Sequence, residues 1–182
     1  MTQDLLYTSP SAIDKARVCI RRWAWDQVDK LPYVQSAEAE FGDKAHAMRE
    51  AYFRDGTPPD ESTQEGRAAA HGLAHLPHPQ DGLEPEVKAE FDHDGVRIFM
   101  RVDLLERAVA HADMSWGRAG ELWVRIFDHK FVKDLHKGWH DRGEALSDPQ
   151  VISYCVWAFK RYPIDTVHLR WVYTTRPVLS ER

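Results

Sequence analysis

The sequence predicts an α/β protein in which a helical N-terminal part precedes a mixed β-sheet. Three features lead to this. From about residue 9 to 76, apolar residues recur at helical spacing; from about residue 84 to 175, they fall in short β-branched and aromatic runs. The turn Asp92-His93-Asp94-Gly95 joins two of those runs as a hairpin, which makes that pair antiparallel. A helix-like stretch separates the last two runs, and a strand–helix–strand connection brings in a parallel neighbour. A three-strand meander followed by a crossover helix and a fourth strand, flanked by helices, is the expected core.

Each element has its own signals. Ser9-Pro10 opens a first helix, since proline suits the first helical turn, and Ile13, Ala16, Ile20, Trp23 and Ala24 carry it as one stretch to about Val28. Lys15, Arg17, Arg21 and Arg22 form its basic side. A second helix is expected from Ser36 to Arg54, with Phe41, Ala45, Met48 and Tyr52 as its apolar stripe and Gly42, His46 and Arg49 on another face; Gly56, Pro58 and Pro59 end it. A third covers Glu61 to Leu76, and Pro77 to Pro85 is a loop. Strands follow at Glu86–Phe91, Val96–Val109 and Leu122–Phe127. After a polar loop over Lys133–Leu146, Ser147-Asp148-Pro149 starts a last helix that reaches Tyr162. Thr166–Thr175 alternates Val167, Leu169, Trp171 and Tyr173 with more polar residues, as a half-buried strand does.

Composition narrows the function classes. The 182 residues suit one domain, and 43% hydrophobic content is enough for a packed core. No run approaches the roughly 18 apolar residues of a membrane span. The opening MTQDLLYTSP has neither the basic nor the apolar region of a signal peptide, so a cytoplasmic location is expected. Cys19 and Cys155 are too few for a disulfide scaffold or a four-cysteine metal site. A net charge of −5 speaks against indiscriminate nucleic-acid binding but is compatible with a local basic groove.

The residues able to carry chemistry are spread over several elements. On the third strand, Asp128 and Lys130 lie two apart and point to one face: a carboxylate suits a hard divalent cation, and a lysine beside it can steady a charged oxygen. The same pair would also suit the solvated face of an edge strand. Asp103 sits in the apolar run Val102-Asp103-Leu104, where a carboxylate needs a positive partner, be it a metal, Arg101 or Lys130. His46, one helical turn after Gly42, could offer a neutral nitrogen to a metal or could be an ordinary surface histidine. Gln150 and Tyr154 share a helical face at i and i+4. His71, His75 and His78 are spaced as a possible zinc site, against which Pro77 and Pro79 interrupt the helical geometry.

Taken in order, Gly42-x-x-x-His46 on a helix, Asp103 on a strand, Asp128-x-Lys130 on the next and Gln150-x-x-x-Tyr154 on the following helix resemble the RecB-like branch of the PD-(D/E)XK nucleases, which includes CRISPR-adaptation-type exonucleases. Ser9-Pro10-Ser11 and Cys19-Ile20-Arg21-Arg22-Trp23 also look like the opening of that family, and the likeness spans roughly residues 9 to 175. The resemblance implies a restriction-endonuclease-like core and a Mg²⁺- or Mn²⁺-dependent DNA nuclease, an exonuclease by preference. Its one or two ions would be held by His46, Asp103, Asp128 and the backbone carbonyl of His129, with Asp103, Asp128 and Lys130 catalytic. Gln150, Tyr154 and Glu86 would support the site, and Arg21, Arg22, Lys133, Lys137 and Arg142 would contact the DNA backbone, with Trp139 either stacking on a base or packing structurally. Single- or double-stranded DNA and proteins of a recombination, repair or phage DNA-processing machinery are the implied partners. Two departures stand out. Met100 occupies a position where the family usually has glycine, and only Cys19 of the four cluster cysteines is matched, so no iron–sulfur cluster is expected. A catalytically inactive nucleic-acid-binding or assembly module on the same fold is the competing expectation.

Overall fold

The computed structural model describes residues 6–32, 34–79, 82–109, 120–132 and 145–175. Along the chain they form β1 (Leu6–Thr8), α1 (Pro10–Val18), α2 (Ile20–Gln27), α3 (Ala37–Asp55), α4 (Gln64–Leu73), β2 (Leu83–His93), β3 (Val96–Val109), β4 (Leu122–Val132), α5 (Pro149–Arg161) and β5 (Thr166–Thr175). The result is α/β: a mixed, open, five-stranded sheet with five helices among the described residues. None of those helices is long and apolar enough to cross a membrane.

The long β3 organises the sheet. One edge of it pairs antiparallel with β2 from Leu83↔Glu106 to His93↔Val96. The other edge is shared: β1 runs parallel to it at residues 96–98, and β4 antiparallel to it at residues 104–109. β5 then lies parallel to β4 from Trp123↔Thr166 to Val132↔Thr175, and α5 makes the crossover between them. The expected meander and crossover are therefore present. β1 escapes sequence reading because three mostly exposed residues carry no usable periodicity; only the partner strand makes them a strand.

Each sheet face has its own core. Against α5, Val102, Leu105, Val124 and Ile126 pack with Tyr154, Trp157 and Ala158. On the opposite face, Leu104, Phe127 and Val172 pack with Phe53 of α3 and with Leu76. β4 keeps strict alternation between these faces. β3 does not: Val102 and Leu105 belong to the α5 side, while Leu104 and Asp103 both turn to the α3 side. The β2–β3 ladder omits the pair at this point, and Glu86, opposite Asp103, has φ +52°. That left-handed backbone is unusual for a glutamate and costs on the order of 1–3 kcal/mol.

Several boundaries differ from expectation. The first helix is two helices, broken at Cys19 (φ −158°, ψ 105°) within the β-branched stretch Val18-Cys19-Ile20. Lys15 Nζ reaches Asp26 Oδ2 at 2.7 Å; eleven residues of straight helix would hold them about 16 Å apart. The third helix is confined to Gln64–Leu73. β4 runs on to Val132 because its β5 ladder continues past Phe127. On α3 the buried positions are Phe41, Ala45, Arg49 and Phe53, a stripe at intervals of four, so Arg49, expected on another face, joins the buried stripe and Met48 is only half-buried.

Candidate functional site

Two clusters of polar side chains meet where β3 and β4 part. Their ladder ends at Leu104↔Phe127, leaving the next residues of both strands free of each other. Asp103 bridges the gap: its Oδ2 accepts the backbone N–H of His129 at 2.6 Å, so a side chain replaces a missing ladder bond.

The first cluster lies on the α3 side. Ser36 caps α3 by accepting from the Ala39 N–H, and Gly56 in left-handed conformation closes it. His46 projects from its middle, with Nδ1 3.7 Å from Asp103 Oδ2. Because β4 alternates, His129 faces the same way, and its ring stacks on His46 with centroids 5.8 Å apart. Donor atoms of His46, Asp103 and His129 all lie within 4.8 Å of one another. Burial pushes the His46 imidazole down to about 4 and that of His129 well below its usual value, helped in both by the Arg49 charge, so both rings are neutral at neutral pH. Burial, and next to it repulsion from Asp128, push Asp103 up to about 8 against the His129 N–H that favours its anion; Glu86 adds to the repulsion. The Nε2 atom of His129 is buried and has no hydrogen-bond partner among the described residues. Two neutral imidazoles, one with an unpartnered nitrogen, and a carboxylate destabilised by other carboxylates fit a divalent cation: the cation would take up the lone pairs and relieve the repulsion.

The second cluster lies on the α5 side. Asp148 caps α5 by accepting from the N–H groups of Gln150 and Val151, which sets the first turn and hence Gln150. Gln150 Nε2 donates to Asp128 Oδ1 at 2.9 Å and to Tyr154 Oη at 2.8 Å, while its Oε1 accepts from Lys130 Nζ at 2.8 Å. Tyr154 Oη lies 3.1 Å from Asp128 Oδ1 and 3.2 Å from the Arg101 carbonyl oxygen. Lys130 Nζ closes the ring at 2.6 Å from Asp128 Oδ2. Burial, followed by the charges of Asp128 and Asp103, raises the Tyr154 hydroxyl far above its ordinary range, so it stays protonated as a donor. Lys130 and Gln150 form part of the wall of a cleft of about 1030 Å³ that also meets Ser9, Lys88, Phe99 and Arg101.

The site residues read from the sequence thus separate into two groups. His46, Asp103 and the His129 ring gather on one side; Asp128, Lys130, Gln150 and Tyr154 gather on the other. The expectation for His129 concerned its backbone carbonyl, and its imidazole went unnoticed. The signal was there, since residues 127, 129 and 131 must share a face opposite 128 and 130. Glu86 is half-buried and pairs with Arg101 at 3.3 Å. Met100 also lines the cleft. Arg21 and Arg22 are exposed on α2, which buries none of its residues, and neither lines the cleft. Lys133, Lys137, Trp139 and Arg142 lie outside the described residues. His71, His75 and His78 are exposed and form no metal-binding group among the described residues.

Arg49 is the other residue that sequence reading misplaced. It is 1% exposed; Nε donates to the Ala69 carbonyl at 3.1 Å, and Nη2 donates to the Ala68 carbonyl at 3.2 Å and to Thr174 Oγ1 at 2.7 Å. Its guanidinium lies 4.4 Å from the Phe131 ring centre, and Phe131 meets the His46 ring edge-on at 5.0 Å. Gly72 makes room for it, since a Cβ there would fall inside the guanidinium. Arg49 therefore ties α3 to α4 and β5 and seats the His46 ring through Phe131. Comparison of the chain with protein-family models and with curated proteins finds no match in either.

Proposed function

We propose that the chain is a metal-dependent nuclease that hydrolyses phosphodiester bonds in DNA, working as an exonuclease in DNA processing, recombination or repair on the restriction-endonuclease-like core of the RecB-like branch. The observation that carries this reading is the pair of polar clusters set on the two sides of the parting of β3 and β4, Asp103 with His46 on the α3 side and Asp128 with Lys130 on the α5 side, where Lys130 reaches an open cleft. One or two divalent ions, Mg²⁺ or Mn²⁺ on the family likeness, would supply charge to the scissile phosphate and acidify a water. His46 and Asp103 would hold that charge, with Asp128 close enough to be felt by both. Lys130, fixed by Asp128 and Gln150, presents its ammonium group at the cleft wall, where it can orient the attacking water or steady a phosphate oxygen. Lys88 and Arg101 in the same wall suit contacts to a nucleic-acid backbone.

The direct test is incubation of the purified protein with end-labelled single- and double-stranded DNA in Mg²⁺, Mn²⁺ or EDTA, beside Lys130→Ala. Metal-dependent cleavage that the variant loses supports the reading, and the product ladder reports polarity. A second reading, an inactive binding or assembly module, draws support from Asp128: Tyr154, Gln150 and Lys130 occupy both of its oxygens, which leaves it little freedom to reach a metal. DNA binding without cleavage in any metal would favour that module.

A further inference from the structure

The donor set on the α3 side differs from the oxygen-rich cage that a Mg²⁺ site calls for. Its three members are two imidazoles and one carboxylate. Mg²⁺ is a hard ion that holds to carboxylates and water and takes nitrogen reluctantly, whereas imidazole suits the later first-row ions. The only anion in the triad is Asp103, and the charges around it are mixed, with the buried Arg49 guanidinium opposing a cation and the Asp128 and Glu86 carboxylates favouring one. An ion bound by charge alone gains little from the two neutral rings, while an ion that bonds to nitrogen gains from both. His129 supplies the second independent observation: its Nε2 is buried beside the triad with no hydrogen-bond partner among the described residues. A polar nitrogen in that state costs free energy unless something binds it. The 3.7 Å between His46 Nδ1 and Asp103 Oδ2 is close to the roughly 3.4 Å that separates two ligands of one tetrahedral ion with bonds of about 2.1 Å.

We propose that His46, Asp103 and the His129 imidazole form a two-nitrogen, one-oxygen metal site that selects a nitrogen-preferring first-row ion, Co²⁺, Ni²⁺ or Zn²⁺, over Mg²⁺. This rests on reading the site as a metal centre and not on DNA being the substrate. Mn²⁺, the weakest of its row toward such donors, falls between the two.

The test needs no nucleic acid. The full chain, stripped with EDTA, is titrated with Co²⁺ while its visible absorption is followed; Zn²⁺ and then Mg²⁺ are added as competitors. The expected result is that Zn²⁺ removes the Co²⁺ bands and a large molar excess of Mg²⁺ leaves them. In His129→Gln, Co²⁺ affinity should fall by about tenfold or more with Mg²⁺ affinity little changed. Should that variant fail to fold, Zn²⁺-induced shifts of the imidazole ¹⁵N resonances in the unmodified chain decide the point, and both His46 and His129 should shift. Displacement of Co²⁺ by equimolar Mg²⁺, no Co²⁺ binding at all, or a His129 ring that Zn²⁺ leaves unmoved would each overturn the proposal. A chain that selects Zn²⁺ as described but cleaves no DNA would sink the nuclease reading alone. One that cleaves DNA in Mg²⁺ with His129→Gln unimpaired would sink this proposal alone.

Discussion

The two sides of the β3–β4 gap each hold a buried aspartate among polar side chains and are left in opposite states. On the α5 side, Asp128, Lys130, Gln150 and Tyr154 close on one another through hydrogen bonds, with Asp128 Oδ2 met by the Lys130 charge alone. On the α3 side, the His129 Nε2 has no hydrogen-bond partner among the described residues, two imidazoles are held neutral and Asp103 is destabilised as an anion. A completed network rigidifies what it contains, whereas an incomplete one in a buried place stores a demand for a ligand. The α5 side therefore looks like a support that aims a lysine, and the α3 side like a receptor.

That contrast can be broken or sharpened by substitution, starting with the largest effect. Lys130→Ala removes the cation that the closed ring holds at the cleft, and DNA cleavage should fall on the order of 100- to 1000-fold while the protein loses about 1–3 kcal/mol of stability as the buried Asp128 loses its counter-charge. Cleavage rates alongside thermal melts check both halves. Gly72→Ala strikes the support of the open side by evicting the Arg49 guanidinium from between α4 and Thr174; it should destabilise the fold by about 3 kcal/mol, read by urea denaturation. An unchanged midpoint would mean that Arg49 does not clasp these elements.

Tyr154→Phe removes one donor from the buried Asp128 and should cost about 1–3 kcal/mol, whereas Asp103→Asn should stabilise the metal-free protein at pH 8. The second half of that pair has a pH signature. The folded-state pKa of Asp103 is raised, so its contribution to stability is full below about 3.8 and is lost as pH rises towards about 8. That of His46 is lowered, so its contribution is full above 6.5 and is lost as pH falls towards about 4. Between pH 6.5 and 8 Asp103 dominates this cluster, and metal-free protein should melt progressively lower across that window, a slope that Asp103→Asn or added Zn²⁺ removes. Melting curves in EDTA at half-unit intervals would show it. The smallest expected effect is at the α5 cap, where Asp148→Ala should cost about 1 kcal/mol in denaturant unfolding.

Much of this was legible in the linear chain. The alternation over Thr166–Thr175 and the Asp94-Gly95 turn specified β5 and the β2–β3 hairpin, with Gly95 at φ +78° as such a turn requires. Asp148-Pro149 marked the start of α5, and the i, i+4 spacing of Gln150 and Tyr154 placed them in one network with Asp128. Less was visible where two elements had to meet. Helical periodicity could not tell that Arg49 would replace Met48 on the buried face of α3, because the acceptors that make its burial tolerable come from α4 and β5. The break at Cys19 was hidden for a like reason, as the bend is held by a pair eleven residues apart.

What the sequence by itself determined was therefore the kind and order of elements and the chemical types of the candidate site, since both follow from local spacing and from what a carboxylate, an imidazole or an ammonium can do. Only the tertiary structure decided which of those groups would share a surrounding. Alternation along β4 sends Asp128 to one face and His129 to the other, and the lapse of alternation in β3 turns Asp103 towards His46. Whether each ends satisfied or wanting a ligand depends on the helix packed over that face, which no stretch of the chain carries within itself.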